Sequence, residues 1–474
     1  MAEWIDTDIC VIGGGSGGLS VAAGAAQIGA SVVLIEGHRM GGDCLNYGCV
    51  PSKALIAAAA RAEAHRGSAP YGIAADEPAV DYAAAMEHVA RTIAAIAPHD
   101  SVERFEGLGV RVIQARAAFI SPSEVEAGGH VVRARRFVVA TGSSPLVPAI
   151  PGLDGVPYLT NETLWDLRER PGRLIVIGGG PIGLEMAQAH RRLGSEVVVV
   201  EALKALGRDD PETVAIALSR LRAEGVEIRE GAKVAAVSGR AGAIRVAIER
   251  GGEIEGTHLL LAVGRRANVG DLGLDKAGVE HTGRGVTVDA GLRSVSNRRV
   301  YAIGDVAGGL QFTHVAGYQA SLVVRNALFR LPVRNRTDII PWVTYTDPEL
   351  AHVGMTEAEA AKSLPKGWEV HRFDFSRNDR AVAEGRTEGL IKIVVARGGR
   401  IRGASIVGPH AGELILPWAL AIGQGMKIGA MAGVVAPYPT LSEVSKRVAG
   451  AYFTPRLFGR PWIGRLIRLL ARLG

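Results

Sequence analysis

A chain of 474 residues, 47% apolar and carrying 62 glycines and a formal charge of +6, is too long for one ordinary core and is expected to form two to four domains. Three cysteines exclude a disulfide-stapled scaffold, and no run of about 18 uncharged apolar residues offers a membrane-spanning helix. The opening MAEWIDTDIC has no basic segment followed by an apolar run, so no leader is expected and the expected compartment is the cytoplasm.

The first element is an apolar strand, DICVI, from Asp8 to Ile12. It runs into a loop with Gly13, Gly15 and Gly18 in G-x-G-x-x-G spacing, an alanine-rich helix, and the strand SVVLIE ending at Glu36. Strand, glycine trio, helix, strand and acid in this order form a dinucleotide site. The glycines allow the tight turn and bare backbone, the helix N-terminus offers N–H groups to phosphate, and the acid takes ribose hydroxyls.

Next comes GGDCLNYGCVPSK, Gly41 to Lys53, which holds Cys44 and Cys49 on what reads as one glycine-flanked helical turn. Metal ligation, cross-linking and redox chemistry are all open here. A tetrahedral zinc site would need two more ligands than the pair supplies. Cys10, on the first strand, reads as a core residue. Helical segments are expected around Ala54–Ala64 and Tyr82–Ile96. A meander of short strands then ends at Thr141 and Gly142, and the proline-rich stretch from Pro145 to Leu159 reads as a linker.

The glycine pattern then recurs. LIVIGGGPIGLEMAQAHRRLGSEVVVVE carries Gly178, Gly180 and Gly183, and the same spacing separates the first glycine from an acid, Glu201. Two intact units imply two dinucleotides. A carboxylate at Glu201 would repel a 2′-phosphate, so NAD is favoured, with NADP not excluded because Lys204 and Arg208 follow. The inserted unit closes near Gly264 and Arg265, and RRVYAIGDVAG places Asp305 at a strand end, where it can bind the first cofactor again. From about Arg336 the texture becomes that of an antiparallel sheet with helices and no phosphate loop, which suits an interface domain. The expected fold is therefore α/β, with two Rossmann-like dinucleotide domains and an α+β C-terminal domain. Expected bounds are 1–150 with 285–335 for the first, 151–284 for the second, 336–450 for the third, and 451–474 for a basic tail.

Together these pieces resemble the FAD-dependent pyridine nucleotide–disulfide oxidoreductases, the group of dihydrolipoyl dehydrogenase, glutathione reductase and the mercuric reductase core. The resemblance covers nearly the whole chain, with GGDCLNYGCVPSK its most specific motif. It implies FAD in the first unit, NAD(P)H in the second, and a redox-active disulfide between Cys44, the interchange thiol, and Cys49, beside the flavin. It also implies that Lys53 lies near the flavin and pairs with Glu185, that Asp305 contacts the ribityl and phosphate region, that the segment holding His314 passes the flavin, and that the C-terminal domain makes a homodimer. Chemically, a reduced flavin passes two electrons to a sulfur lying against it, and a nearby lysine favours a thiolate.

One departure bears on the acceptor. Where glutathione and lipoamide enzymes of the group carry His-Pro-Thr-x-x-Glu, this chain reads APYPTLSE, with Tyr438 in the histidine place and Pro439, Thr440 and Glu443 retained. A phenol with a pKa near ~10 is a poor base at neutral pH, whereas imidazole near ~6.5 is a good one. Tyrosine here resembles mercuric reductase, yet no cysteine follows Cys49, so the delivery pair of those enzymes is absent. The acceptor is expected to be a metal ion or an unusual disulfide. The alternatives are a dihydrolipoyl dehydrogenase-like enzyme lacking its base and an electron-input or scaffold subunit tethered to a membrane partner.

The last 20 residues hold five arginines and no acid. A helix from about Pro461 would set Ile463, Leu466, Ile467, Leu470 and Leu473 on one stripe, opposite Arg465, Arg468 and Arg472. Such a helix, residues 461–474, suits a membrane surface at the inner face or a protein groove. No nucleic-acid role is expected, because aromatics are not interleaved with the arginines.

Overall fold

The structure is a computed structural model that describes residues 3–472. Leu473 of the expected stripe lies outside the described residues. The chain divides into two units, one taking residues up to Ala202 and again Ile228–Asn335, the other taking Leu203–Glu227 and the described residues from Arg336 onward.

In the first unit, β1 (Glu3–Ile12), α1 (Ser16–Gln27) and β2 (Val32–Glu36) follow the expected order. The cysteine segment forms α2 (Gly42–Asn46) and α3 (Cys49–Arg66). Strands β3 (Val110–Gln114), β4 (Ala117–Ser121), β5 (Glu124–Ala127) and β6 (His130–Val139) complete a sheet ordered β3-β2-β1-β6-β5-β4, with the later strand Val300–Ala302 joined to β6. β1 runs parallel to both neighbours, Ile12 facing Ile35 on one side and Val139 on the other. Successive side chains of such a strand point to opposite faces. Cys10 and Ile12 therefore enter one core with Val33, Ile35, Phe137 and Val139, while Ile9 and Val11 enter the other with Leu34, Val138 and Leu19. Both faces are buried, which is why DICVI reads as a continuous apolar run.

The second nucleotide unit repeats the pattern. β7 (Arg173–Ile177), α4 (Pro181–Arg192) and β8 (Glu196–Glu201) form its first turn, and β7 pairs in parallel with β8 and with His258–Leu261. The proline-rich stretch after Pro145 is more than a linker. Leu153 and Val156 are buried against Ile175, Val198 and Val237, so its apolar side chains close the core of the inserted unit.

The long helix Thr313–Phe329 packs on α1. A Cβ on Gly17 would stand 3.1 Å from Ile303 and 3.2 Å from Ala316, so the bare glycine lets these elements approach closely. This packing fixes where the N-terminus of the helix, at Thr313, projects.

The second unit is built on five antiparallel strands in the order Pro341–Thr344, Glu349–Gly354, Arg400–Gly408, Leu390–Ala396, Glu369–Asp374. The fully buried Trp418 donates its indole N–H to Ser445 Oγ at 3.0 Å behind this sheet. Thr356 and Glu359 form a reciprocal capping box that opens a helix at Glu357–Ser363, between two strands of this sheet. Leu203–Glu227 groups here because the buried Lys392 Nζ lies 2.8 Å from Asp210, the cap of helix Pro211–Ala223, and 3.0 Å from Glu212.

Candidate active site

Both glycine loops adopt the geometry their spacing implies. Gly13 and Gly178 have φ of +111° and +113°, and a Cβ on either would lie 2.4 or 2.3 Å from the carbonyl oxygen of Ala140 or Ala262. A Cβ on Gly18 or Gly183 would fall 1.9 or 2.0 Å from the carbonyl of Gly13 or Gly178. Only glycine fits these four positions. Gly15 and Gly180 are the caps of α1 and α4, and the first N–H groups of each helix lack intrahelical partners. Glu36 accepts from Gly14 N and His38 N, and Glu201 accepts from Gly179 N at 2.7 Å. Each acid is thus held at its loop, at the place where a ribose would sit.

The cysteine segment lies against the first loop. Gly41 N donates to Gly14 O at 2.9 Å. Gly42 has φ of +58°, and a Cβ there would be 2.7 Å from Gly15 Cα. The pair does not share one helical turn, contrary to expectation. Cys44 sits in α2, the backbone breaks at Gly48, and Cys49 opens α3. A Cβ on Gly48 would be 2.9 Å from the Asp43 carboxylate, so the break also rests on a glycine. It brings the two sulfurs close enough for each to shift the other's titration.

Both are free thiols in this structure, with unlike surroundings. The Cys49 thiol is drawn down to about 6, first by the hydrogen bond from Cys44, then by the Thr313 hydroxyl and the Lys53 charge, against burial and the Asp43 carboxylate. Its Sγ lies 3.3 Å from Thr313 Oγ1. The Cys44 thiol is pushed up by that same shared hydrogen bond and by burial. Cys49 is therefore the thiolate and Cys44 keeps its proton. Lys53, one turn further along α3, donates to the buried Glu185 Oε2 at 2.8 Å. The Cys10 thiol is wholly buried in the core and pushed up by that burial.

Asp305 lies in a short 3-10 turn after Val300–Ala302 and accepts from Ser143 Oγ. Burial pushes its carboxyl up, opposed by Ser143 and Arg265. Arg265 joins this group to the cysteine segment. Its guanidinium stands 2.9 Å from Asp43 Oδ1 and 3.8 Å from Asp305, and donates to Ser143 O at 2.8 Å. Asn161 Nδ2 donates to Asp43 at 3.1 Å, and Trp165 Nε1 to Tyr47 O at 3.0 Å. Thr141 Oγ1 donates to Asn268 O at 2.7 Å, and Asn268 N to Gly142 O at 3.0 Å. Gly142 and Gly264 have φ of +67° and +124°.

His314 is exposed and stacks on Phe312, with ring centroids 5.3 Å apart, while its neighbour Thr313 meets the cysteine. In the second unit, Tyr438 is 68% exposed and donates to Asp379 Oδ2 at 3.0 Å. That hydrogen bond and the Asp379 charge push the phenol up, and Glu443, which opens the helix Glu443–Ala451, adds to the effect. Thr313, Asp43, Ser143, Asn161 and Trp165 escape the sequence reading. Only Asp43, inside the cysteine motif, carries a local signal.

Two phosphate loops, a polarised thiol pair against the first, and a lysine–glutamate pair beside it define a flavin- and nicotinamide-dependent disulfide reductase. The chain belongs to this family. Residues 7–320 match the family model for pyridine nucleotide-disulphide oxidoreductases, and residues 340–449 match that for their dimerisation domain. The protein is an oxidoreductase that binds FAD and NAD(P), with Cys44 and Cys49 as its candidate redox pair, and its dimerisation domain supports a homodimer.

Among known proteins, it is 34% identical to a mercuric reductase of Bacillus cereus, over 92% of this chain and 70% of that one. It is 37% identical to a dihydrolipoyl dehydrogenase of Thermus scotoductus, over 92% and 95% of the two chains. Its structure superposes with a TM-score of 0.84 on the Cu(II) complex of RclA, an HOCl-induced flavoprotein disulfide reductase of Escherichia coli. That match is 27% identical and covers 94% of this chain and 99% of the other.

Proposed function

We propose that this protein is an NADH-dependent reductase whose Cys44–Cys49 pair delivers electrons to a thiophilic metal ion, with Cu2+ as the probe of choice. A bound FAD would supply hydride acceptance from the reduced nicotinamide and a two-electron route to the cysteine pair. The chain's own groups then divide the work. Cys49, stabilised as thiolate by Thr313 and Lys53, is the sulfur suited to the flavin side. Cys44 keeps its proton and is the thiol suited to the acceptor. Oxidation of the thiolate–thiol pair by two Cu2+ ions reforms the sulfur–sulfur bond and releases two Cu+ ions and the one proton held by Cys44.

One observation carries the choice of acceptor. The residue in the place of the family's acid–base histidine is a phenol whose proton is held by Asp379 at 3.0 Å. Dithiol–disulfide exchange needs a base there, whereas a thiophilic ion itself displaces the Cys44 proton as it binds. The similarity to mercuric reductases, and to a disulfide reductase solved as a Cu(II) complex, supports the same reading. NADH is favoured by the Glu201 carboxylate, which would repel a 2′-phosphate of like charge.

The second reading, a dihydrolipoyl dehydrogenase-like enzyme, is supported by the retained Pro439, Thr440 and Glu443 and by the Thermus relative. The test presents Cu2+, Hg2+, lipoamide and glutathione disulfide to anaerobically reduced enzyme. Cu2+ or Hg2+ is expected to reoxidise it fastest, and Tyr438→His to raise disulfide turnover more than metal turnover. Lipoamide outpacing both ions in the unaltered enzyme would select the second reading.

A further inference from the structure

The tail forms the expected helix, Pro461–Leu470, preceded by a short helix Thr454–Phe458. Three observations bear on what it meets. First, none of its side chains is buried: Trp462, Leu466, Ile467, Leu469 and Leu470 are each between 43% and 59% exposed. At about 100° per residue these and Ile463 share one face, with Arg465, Arg468 and Arg472 across from them. Second, the arginines divide into two sets. Arg456 is used within the unit, paired with Glu369 and 3.6 Å above the Tyr452 ring, and so fixes the base of the tail. Among the described residues, the side chains of Arg460, Arg465, Arg468 and Arg472 take part in no hydrogen bond or ion pair. Third, the match to the family's dimerisation domain ends at residue 449, before this segment begins.

We infer that the helix Pro461–Leu470 docks on an anionic lipid surface. Charge complementarity decides the occupant: free arginines beside a wholly apolar face, with no acid in the last 20 residues, fit phosphate headgroups over acyl chains. The helix has ten residues and no helix among those described is long enough to cross a membrane. At about 1.5 Å per residue it spans roughly half of a hydrocarbon core, so it lies in the interface plane. Trp462, at the edge of the apolar face, suits the headgroup boundary.

The test uses the full-length FAD-loaded protein, in flotation with phosphatidylcholine vesicles with and without phosphatidylglycerol. Binding is expected only to the anionic vesicles and is expected to fall at high salt. Replacing Arg465, Arg468 and Arg472 together by Gln is expected to weaken partitioning about a hundredfold. Leu466→Ser with Leu470→Ser is expected to abolish it while the arginines remain, with flavin absorbance unchanged as the control for folding. Absence of vesicle binding by the intact protein overturns the inference. So does binding that survives the serine pair, which would be charge adsorption without insertion. A loss of dimer mass on light scattering in the serine pair, with no vesicle binding by the intact protein, would assign the face to a second copy and also overturn it.

Discussion

The two glycine loops are close to superposable in their strained positions, and differ in what stands beside them. Gly15, the middle glycine of the first trio, bridges to Gly41 and lies against the Gly42 backbone. Its counterpart Gly180 would meet nothing within 4 Å if it carried a Cβ. One phosphate site is therefore walled by the redox segment, and the other opens away from the chain. A walled site suits a cofactor that stays through every turnover. An open one suits a nicotinamide that must arrive and leave each time.

The largest expected effects divide the two sites most sharply. Gly18→Ala and Gly183→Ala make the same collision with a backbone carbonyl, but their outcomes should differ. Gly18→Ala is expected to yield colourless, inactive protein. Gly183→Ala should keep its flavin spectrum and lose NADH-driven bleaching by about a hundredfold or more, ~2.7 kcal/mol in the barrier. Visible absorption and anaerobic stopped-flow measure both. Flavin loss in Gly183→Ala would break the distinction between resident and visitor.

Next in size are the cysteines, which lie beside the first loop without forming it. Cys44→Ser and Cys49→Ser should each reduce acceptor turnover to background while NADH still bleaches the flavin. Only Cys44→Ser should keep the long-wavelength thiolate–flavin band, because the thiolate is on Cys49. A band that follows Cys44 instead would reverse the assignment. A smaller effect is expected at the acids. Glu201→Ala should raise the KM for NADH about tenfold, ~1.4 kcal/mol, and narrow the preference over NADPH. Glu36→Ala, which frees Gly14 N and His38 N, should instead show as flavin loss on gel filtration.

The contrast between the loops also marks how far the sequence was legible. The trios, both acids, Cys44, Cys49 and Lys53 were readable because each answers to a local rule: tight turns need glycine, ribose needs an acid, and a thiolate needs a nearby cation; the pairing of Lys53 with Glu185 came only from the family resemblance. The wall beside Gly15 was not, since it depends on Gly42 and Gly48, whose roles appear only once two distant backbones meet. The Arg265 network joins residues from Asp43 to Asp305 by tertiary contacts alone. The capping box at Thr356 and Glu359 was the reverse case, a local signal overlooked amid strand-like neighbours. Thr313 was hidden by its neighbour His314, the residue type that draws attention in a flavin site.

Thr313 offers the finest test of the walled side. Its helix is set in place by packing on α1 at Gly17, so its hydroxyl reaches Cys49 as a consequence of the first loop's own architecture. A hydrogen bond to the charged form stabilises the thiolate. Cys49 is held below the ordinary thiol range, at about 6, so the thiolate–flavin band should be present above that pH and fade as pH falls through it. Thr313→Val removes the hydroxyl and keeps the branched shape. The band's midpoint should then rise by up to about one unit, the equivalent of a net hydrogen bond of ~1 kcal/mol, leaving less band at neutral pH. Thr313→Ser should restore the midpoint. A pH titration of the reduced enzyme reads this directly, and NADH binding at the open loop should be unchanged. A midpoint unmoved by Val would mean that the Cys44 thiol and the Lys53 charge hold the thiolate without the helix.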